Sequence, residues 1–119
     1  MAFEIKGRAA SPGVYRGVAR ILTDQRNFGR LRKGEVAVSH TASPELVLVL
    51  DRAGAVVTDI GGVLSHLVVV ARGLGVPAVV ATDNASARIP DGAIITVDGS
   101  TGKVTVQTTG AARRSVSGQ

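Results

Sequence analysis

The sequence predicts an α/β fold, and three observations predict it. Short apolar runs at 35–39, 55–58, 76–81, 93–97 and 103–106 are rich in Val, Ile and Ala and too short for helices. Two helix-start signals, Ser43-Pro44 and Ser65-His66, lie between such runs. Fifteen glycines, several paired with Asp or Pro, supply the punctuation between elements.

The elements follow in order. Residues 1–8 read as a short lead-in strand or arm. Ser11-Pro12-Gly13 is a turn, and Val14, Val18, Ile21 and Leu22 suggest a strand after it. Residues 23–34 are polar and Arg-rich and read as a loop with at most a helical turn. Residues 35–39 are a strand. Ser43 is an N-cap and Pro44 suits the first helical position, so a helix runs over 44–52 and stops before Gly54. Leu46, Val49 and Leu50 give it an i, i+3, i+4 apolar face. Residues 55–58 are apolar until Thr58, the pattern of a strand buried on both faces.

Next comes the stretch that organises the chain, Thr58-Asp59-Ile60-Gly61-Gly62-Val63-Leu64-Ser65-His66, followed by an apolar segment. Leu67 to Val70 would score as strand on propensity. The segment reads as helix because Ser65 can cap it and Gly73 and Gly75 can end it. Residues 76–81 are a strand with Pro77 at its start. Residues 82–88 are a loop with a helical turn. Residues 93–97 and 103–106 form a hairpin around Asp98-Gly99-Ser100-Thr101-Gly102. One domain is expected over 1–107, with 108–119 a disordered tail.

Composition narrows the chemistry. With 119 residues the chain supports one modest core, and with 45% hydrophobic but only 3% aromatic residues that core is Val, Ile, Leu and Ala. There is no Cys, hence no disulfide, thiolate zinc site or cysteine nucleophile. The net charge of +5 is scattered, apart from Arg26, Arg30, Arg32 and Lys33 and the pair Arg113-Arg114. Few aromatics are available to stack on bases, so a solvated basic surface is expected rather than a nucleic-acid interface. No apolar run reaches the roughly 18 residues of a membrane span, and no signal peptide opens the chain, so a soluble cytoplasmic protein is expected.

The Gly-Gly…Ser-His stretch carries the candidate site. Gly61 and Gly62 let the backbone take positive φ and approach a ligand closely. A helix amino end attracts anions, phosphate above all. A neutral imidazole, with an unperturbed pKa of about 6.5, can attack phosphorus and later release the group. His66 is therefore the candidate nucleophile, with Gly61, Gly62 and Ser65 as phosphate-binding groups. Asp59 is a candidate for orienting His66. Arg72 lies about 9 Å further along the helix at its rise per residue, so it reads as a docking, orienting or salt-bridge residue rather than a direct ligand. No metal ligand set, no Walker loop and no role for His40 are read here.

Gly61-Gly62-x-x-Ser65-His66, three apolar residues, Ala71-Arg72, and Gly75-Val76-Pro77-Ala78-Val79-Val80 resemble the phosphohistidine swivelling domain of the phosphoenolpyruvate-utilising enzymes. These include pyruvate phosphate dikinase, phosphoenolpyruvate synthase, enzyme I of the sugar phosphotransferase system and rifampicin phosphotransferase. Ser11-Pro12-Gly13-Val14 and the 98–104 hairpin also resemble it, so the likeness spans roughly residues 8–107. It implies a three-layer β/β/α fold and a phosphoryl-carrier domain phosphorylated on His66. The domain itself would bind no cofactor; ATP or phosphoenolpyruvate, with Mg²⁺, would sit on an ATP-grasp domain or a phosphoenolpyruvate-binding barrel, in separate chains or a longer parent chain. The chain departs from the family at Leu64 and at Leu67, where a smaller residue is commoner after the histidine. The alternative is a non-catalytic docking module. An exposed His66 ring favours the carrier; a ring buried under Leu67 favours the module.

Overall fold

A computed structural model of the chain describes residues 2–23 and 25–107. The expected tail, 108–119, lies outside them. Eight strands form one continuous order, β1-β8-β7-β3-β4-β5-β6-β2. They are β1 (Ala2–Lys6), β2 (Arg8–Ser11), β3 (Val14–Ile21), β4 (Val36–Ser39), β5 (Ala55–Thr58), β6 (Ala78–Val80), β7 (Ile94–Asp98) and β8 (Lys103–Gln107). The order folds back on itself. β1 and β2 are consecutive in sequence, yet they pair with β8 and β6 at opposite ends of the order. β3 likewise serves two sheets: Val14 to Val18 pair antiparallel with β7, and Ala19 to Ile21 pair parallel with β4. An antiparallel sheet thus stacks on a mixed sheet whose centre, β4-β5-β6, is parallel.

Helices α1 (Pro44–Leu48), α2 (His66–Leu74) and the short α3 (Ala85–Arg88) complete the chain. Two apolar clusters define three layers. Ile5, Val36, Val38, Val57, Val79, Ile95, Val97, Val104 and Val106 fill the space between the sheets. Leu46, Leu50, Ala37, Val56, Leu67, Val68, Ala71 and Val80 fill the space between α1, α2 and the mixed sheet. This is the β/β/α architecture expected. It also explains the sequence pattern. Successive residues of β4, β5 and β6 point into different clusters, so these strands are apolar up to Ser39 and Thr58 at the ends of β4 and β5. β7 and β8 are covered on one face only and alternate.

The helices show how tertiary demands edit local signals. Ser43 caps α1 as expected, its Oγ accepting from the Leu46 amide at 3.3 Å. The expected single helix over 44–52 is instead α1 followed by a 3-10 turn, Leu50–Arg52. The tighter winding starts where the Val49 amide reaches back to the Leu46 carbonyl, and it leaves both Leu46 and Leu50 fully buried. A second 3-10 turn, Gln25–Arg30, occupies the Arg-rich loop. It seats Phe28 and, just beyond it, Leu31 in the helical layer. In α2 the β-branched run is helical because Leu67, Val68 and Ala71 bury against the mixed sheet, which outweighs propensity costs of tenths of a kcal/mol each. Gly75 ends the helix in the left-handed conformation, φ 73°, and the Val76 amide returns to the Ala71 carbonyl at 2.9 Å.

Candidate functional site

The carboxyl ends of the parallel strands β4, β5 and β6 form one rim, the place where open α/β sheets present ligand sites. β5 leaves this rim through Asp59 and Ile60 into the Gly61-Gly62 turn, and α2 begins at His66. Of the two glycines, only Gly61 has positive φ, 141°. Around it the chain is close: an added Cβ would lie 3.5 Å from Thr58 Oγ1 and 3.7 Å from Ala42 Cβ. Gly62 has neither constraint. Its φ is ordinary, and the nearest atom to an added Cβ is the Leu64 amide at 4.0 Å. The expectation of two positive-φ glycines therefore holds for one; the other leaves open space.

His66 is exposed at the first position of α2. Leu67 does not cover it: at 1% exposure it is turned into the helix–sheet core. Successive helical residues are 100° apart, so a side chain at 67 buried against the sheet leaves 66 on the rim. Ser65 has the extended N-cap backbone, φ −67° and ψ 159°, and its carbonyl accepts the Val68 and Val69 amides. Its hydroxyl makes no capping bond, contrary to expectation; Oγ is buried and unpartnered among the described residues. The His66 and Leu67 amides also lack an acceptor among those residues, as the first amides of a helix do. The loop before this helix and its first turn also carry exposed apolar side chains: Ile60 at 49%, Leu64 at 87% and Val69 at 60%.

Asp59 has a different partner from the one expected. Its side chain is buried, and Oδ2 receives a hydrogen bond from His40 Nδ1 at 2.9 Å. Oδ1 accepts the Ser86 amide at 2.8 Å, and the Ser86 hydroxyl donates to Oδ2. The ladder explains the contact. Ser39 pairs with Thr58 at the ends of β4 and β5, so the next residues, His40 and Asp59, sit side by side. A carboxylate only accepts, so Nδ1 carries the proton and Nε2 is left without a partner among the described residues. Sequence reasoning gave His40 no role; its register position beside Asp59 is visible only once the strands are paired. Arg72 is exposed, and its Nε donates to the Ala10 carbonyl at 2.9 Å, tying α2 to β2.

An open depression of about 320 Å³ adjoins the glycine turn, lined by Arg8, Gly61, Gly62, Val63, Leu64 and Ala81. A larger one, about 490 Å³, lies at the other end of α2 beside Leu74, Gly75 and Val76. The smaller depression borders the loop that leads to His66, although Ser65 and His66 themselves do not line it. Ala81 lies in the left-handed region, φ 56°, a conformation that costs a non-glycine residue about 1 kcal/mol or more and gathers at functional rims. Among the described residues no group of three or more His, Cys, Asp or Glu could hold a metal, and no helix is long and apolar enough to cross a membrane.

Away from the rim, Arg20 bridges two carboxylates, Glu35 at 2.6 Å and Asp91 at 3.1 Å, and Arg30 joins Asp91 at 2.9 Å. The hydrogen bond from Arg20 draws the Glu35 carboxyl below its ordinary range against partial burial, and the Arg32 amide adds to the effect. Burial pushes Asp91 up, but the Ile21 amide and the Arg30 and Arg20 guanidinia outweigh it, so its carboxyl also lies low. These ion pairs fasten the Arg-rich loop to β3 and the turn before β7.

Residues 31–102 match the family model described as the PEP-utilising enzyme, mobile domain. The chain is 44% identical over 102 residues to a protein of Bacillus subtilis named as an uncharacterized phosphotransferase, covering 86% of this chain and 12% of that protein. It is 43% identical over 101 residues to the phosphoenolpyruvate synthase of Aeropyrum pernix, covering 84% and 12% respectively. Among solved structures, the solution structure of an Enzyme I protein superposes with a TM-score of 0.60 at 30% identity, over 68% of this chain and 34% of that one. The chain thus spans about an eighth of the length of these two relatives, as the 12% coverage of each states.

Proposed function

We propose that this chain, which belongs to the PEP-utilising enzyme mobile-domain family, is a phosphoryl carrier whose His66 takes a phosphoryl group from one partner domain and gives it to an acceptor on another. The observation that carries the reading is the pose of His66: exposed at the amino end of α2, with Leu67 turned into the core instead of over the ring. A neutral ring nitrogen of His66 attacks phosphorus, the bond from phosphorus to the donor oxygen breaks, and the ring proton passes to solvent. In the second half the acceptor attacks phosphorus and the P–N bond breaks. Two easy transfers replace one hard one.

The surroundings suit the group carried. The free amide of the exposed His66 is a donor that phosphoryl oxygens satisfy, and the Ser65 hydroxyl stands next to it, buried and without a partner among the described residues. Gly62 keeps its space clear of side chain with no conformational reason to be glycine. The exposed Ile60, Leu64 and Val69, on the loop and first turn that carry the histidine, suit a partner surface that excludes water during transfer. Ala2 and Gln107 are ladder partners, so a chain entering and leaving the domain does so at one edge, as a swivelling unit needs.

The donor on this reading is ATP or phosphoenolpyruvate, bound with Mg²⁺ by an ATP-grasp domain or a phosphoenolpyruvate-binding barrel. The test is intact-mass measurement under alkaline conditions after incubation with host lysate and either donor. Wild type gains one phosphoryl group and His66→Ala gains none. A wild-type chain that stays unmodified with both donors, yet still binds partner proteins, would identify a docking module instead.

A further inference from the structure

The geometry points to Arg8 as the cation of the phosphoryl site, a residue to which neither the motif nor its neighbours assign a role. The inference rests on the phosphohistidine reading above. Arg8 follows Gly7, where the chain passes from β1 to β2. A Cβ at Gly7 would lie 2.5 Å from the Val80 carbonyl oxygen and 2.7 Å from Thr82, so only glycine lets the strand run this close to the end of β6. The register then sets Arg8 opposite Val80. Val80 Cβ is in turn 3.9 Å from the position of a Gly61 Cβ. Arg8 is thereby delivered to the depression that Gly61, Gly62, Leu64 and Ala81 line, directly beside the loop that leads into His66.

Its guanidinium is exposed and has no ion pair among the described residues. The carboxylates that follow β4, β5 and β6 do not take it: Asp59 is held by His40 and Ser86, and Glu45 and Asp83 make no ion pair among the described residues. Arg20 and Arg30, by contrast, are neutralised in place by Glu35 and Asp91. A planar fork of five donors beside a glycine-lined hollow suits a tetrahedral phosphate dianion. That dianion has two sources, the phosphoryl group on His66 or free phosphate. Arg8 offsets its charge as it arrives and holds it in register for the next transfer.

Phosphoramidate separates the possibilities without a partner protein. The imidazole nitrogen attacks phosphorus, the P–N bond of the reagent breaks, and ammonia leaves with the ring proton. The full chain, Arg8→Gln, Arg8→Lys and His66→Ala are compared by mass, and each is titrated with inorganic phosphate while the Gly61 and Gly62 amide resonances are followed. Expected are a phosphorylation rate at least tenfold lower in Arg8→Gln, partial recovery in Arg8→Lys, and Gly61 and Gly62 shifts that weaken in Arg8→Gln at unchanged thermal stability. Shifts that persist in His66→Ala assign the hollow to free phosphate as well; shifts seen only on phosphorylated wild type assign it to the group on His66. Equal rates and equal shifts in wild type and Arg8→Gln overturn the Arg8 assignment alone. A wild-type chain that takes no phosphoryl group overturns the carrier reading, and Arg8 then stands or falls on whether the phosphate shifts depend on it.

Discussion

Replacing each glycine of the turn by alanine separates folding from chemistry at the site. Gly61 has φ 141°, a region an L-residue rarely enters, and an added Cβ would sit at ordinary contact distance from Thr58 and Ala42. The cost of Gly61→Ala is therefore conformational rather than steric, about 1–3 kcal/mol. For a chain of 119 residues that lowers the melting temperature by roughly 4 °C per kcal/mol. Gly62 has an ordinary φ and open space, so Gly62→Ala leaves stability unchanged or raises it by about 0.4–1 kcal/mol by restricting the unfolded chain. Its methyl group, however, enters the hollow where the phosphoryl oxygens are to sit. Urea unfolding and phosphoramidate modification of the two variants, measured side by side, give opposite orders: Gly61→Ala is the less stable, and Gly62→Ala is stable but phosphorylated at least tenfold more slowly. A Gly62→Ala chain that is phosphorylated at the wild-type rate refutes the placement of the phosphoryl group against this turn.

Other expectations follow from the same geometry. Leu67→Ala removes a fully buried side chain and costs about 2–5 kcal/mol in urea unfolding, while the phosphorylation rate of the folded fraction stays at the wild-type value, because Leu67 does not cover the ring. The Glu35 carboxyl is drawn down in the folded state, so its contribution is complete above the ordinary glutamate value of about 4.3 and is lost as pH falls through the lowered folded value. Glu35→Gln should accordingly lose about 1.5 kcal/mol at pH 7, the worth of a hydrogen bond to a charged group, and the gap to wild type should narrow in unfolding titrations as pH falls below the ordinary glutamate value of about 4.3. Arg72→Met removes the bond to the Ala10 carbonyl and should lower the melting temperature without changing phosphorylation, which mass measurement reads directly.

Much of this was legible in the chain because its signals are local. Ser43-Pro44 announces α1, Gly75 ends α2, and unbroken apolar runs mark strands sandwiched between two cores. The β-branched segment after His66 was ambiguous on propensity, and packing of Leu67, Val68 and Ala71 settles it. What local signals do not carry is pairing across the chain. The 3-10 winding after α1 depends on Leu50 reaching the core beneath it. The bond between His40 and Asp59 arises from the β4–β5 register, 19 residues apart in sequence. Arg8 meets the glycine turn only through the pairing of β2 with β6. Ser65 shows the converse limit: the residue type forecast the cap backbone, but its hydroxyl is left unbonded.

The chain has two histidines, and both stand at this rim. His40 has features a nucleophile needs, with a ring held by the buried Asp59 and a side chain 62% exposed. Total mass cannot tell one from the other. The decisive measurement is site mapping of the phosphorylated wild-type chain by tandem mass spectrometry at neutral to alkaline pH, with fragmentation that spares the P–N bond. The phosphoryl group is expected on His66, unchanged in position in His40→Gln and absent in His66→Ala. A phosphoryl group on His40, surviving in His66→Ala, would contradict it.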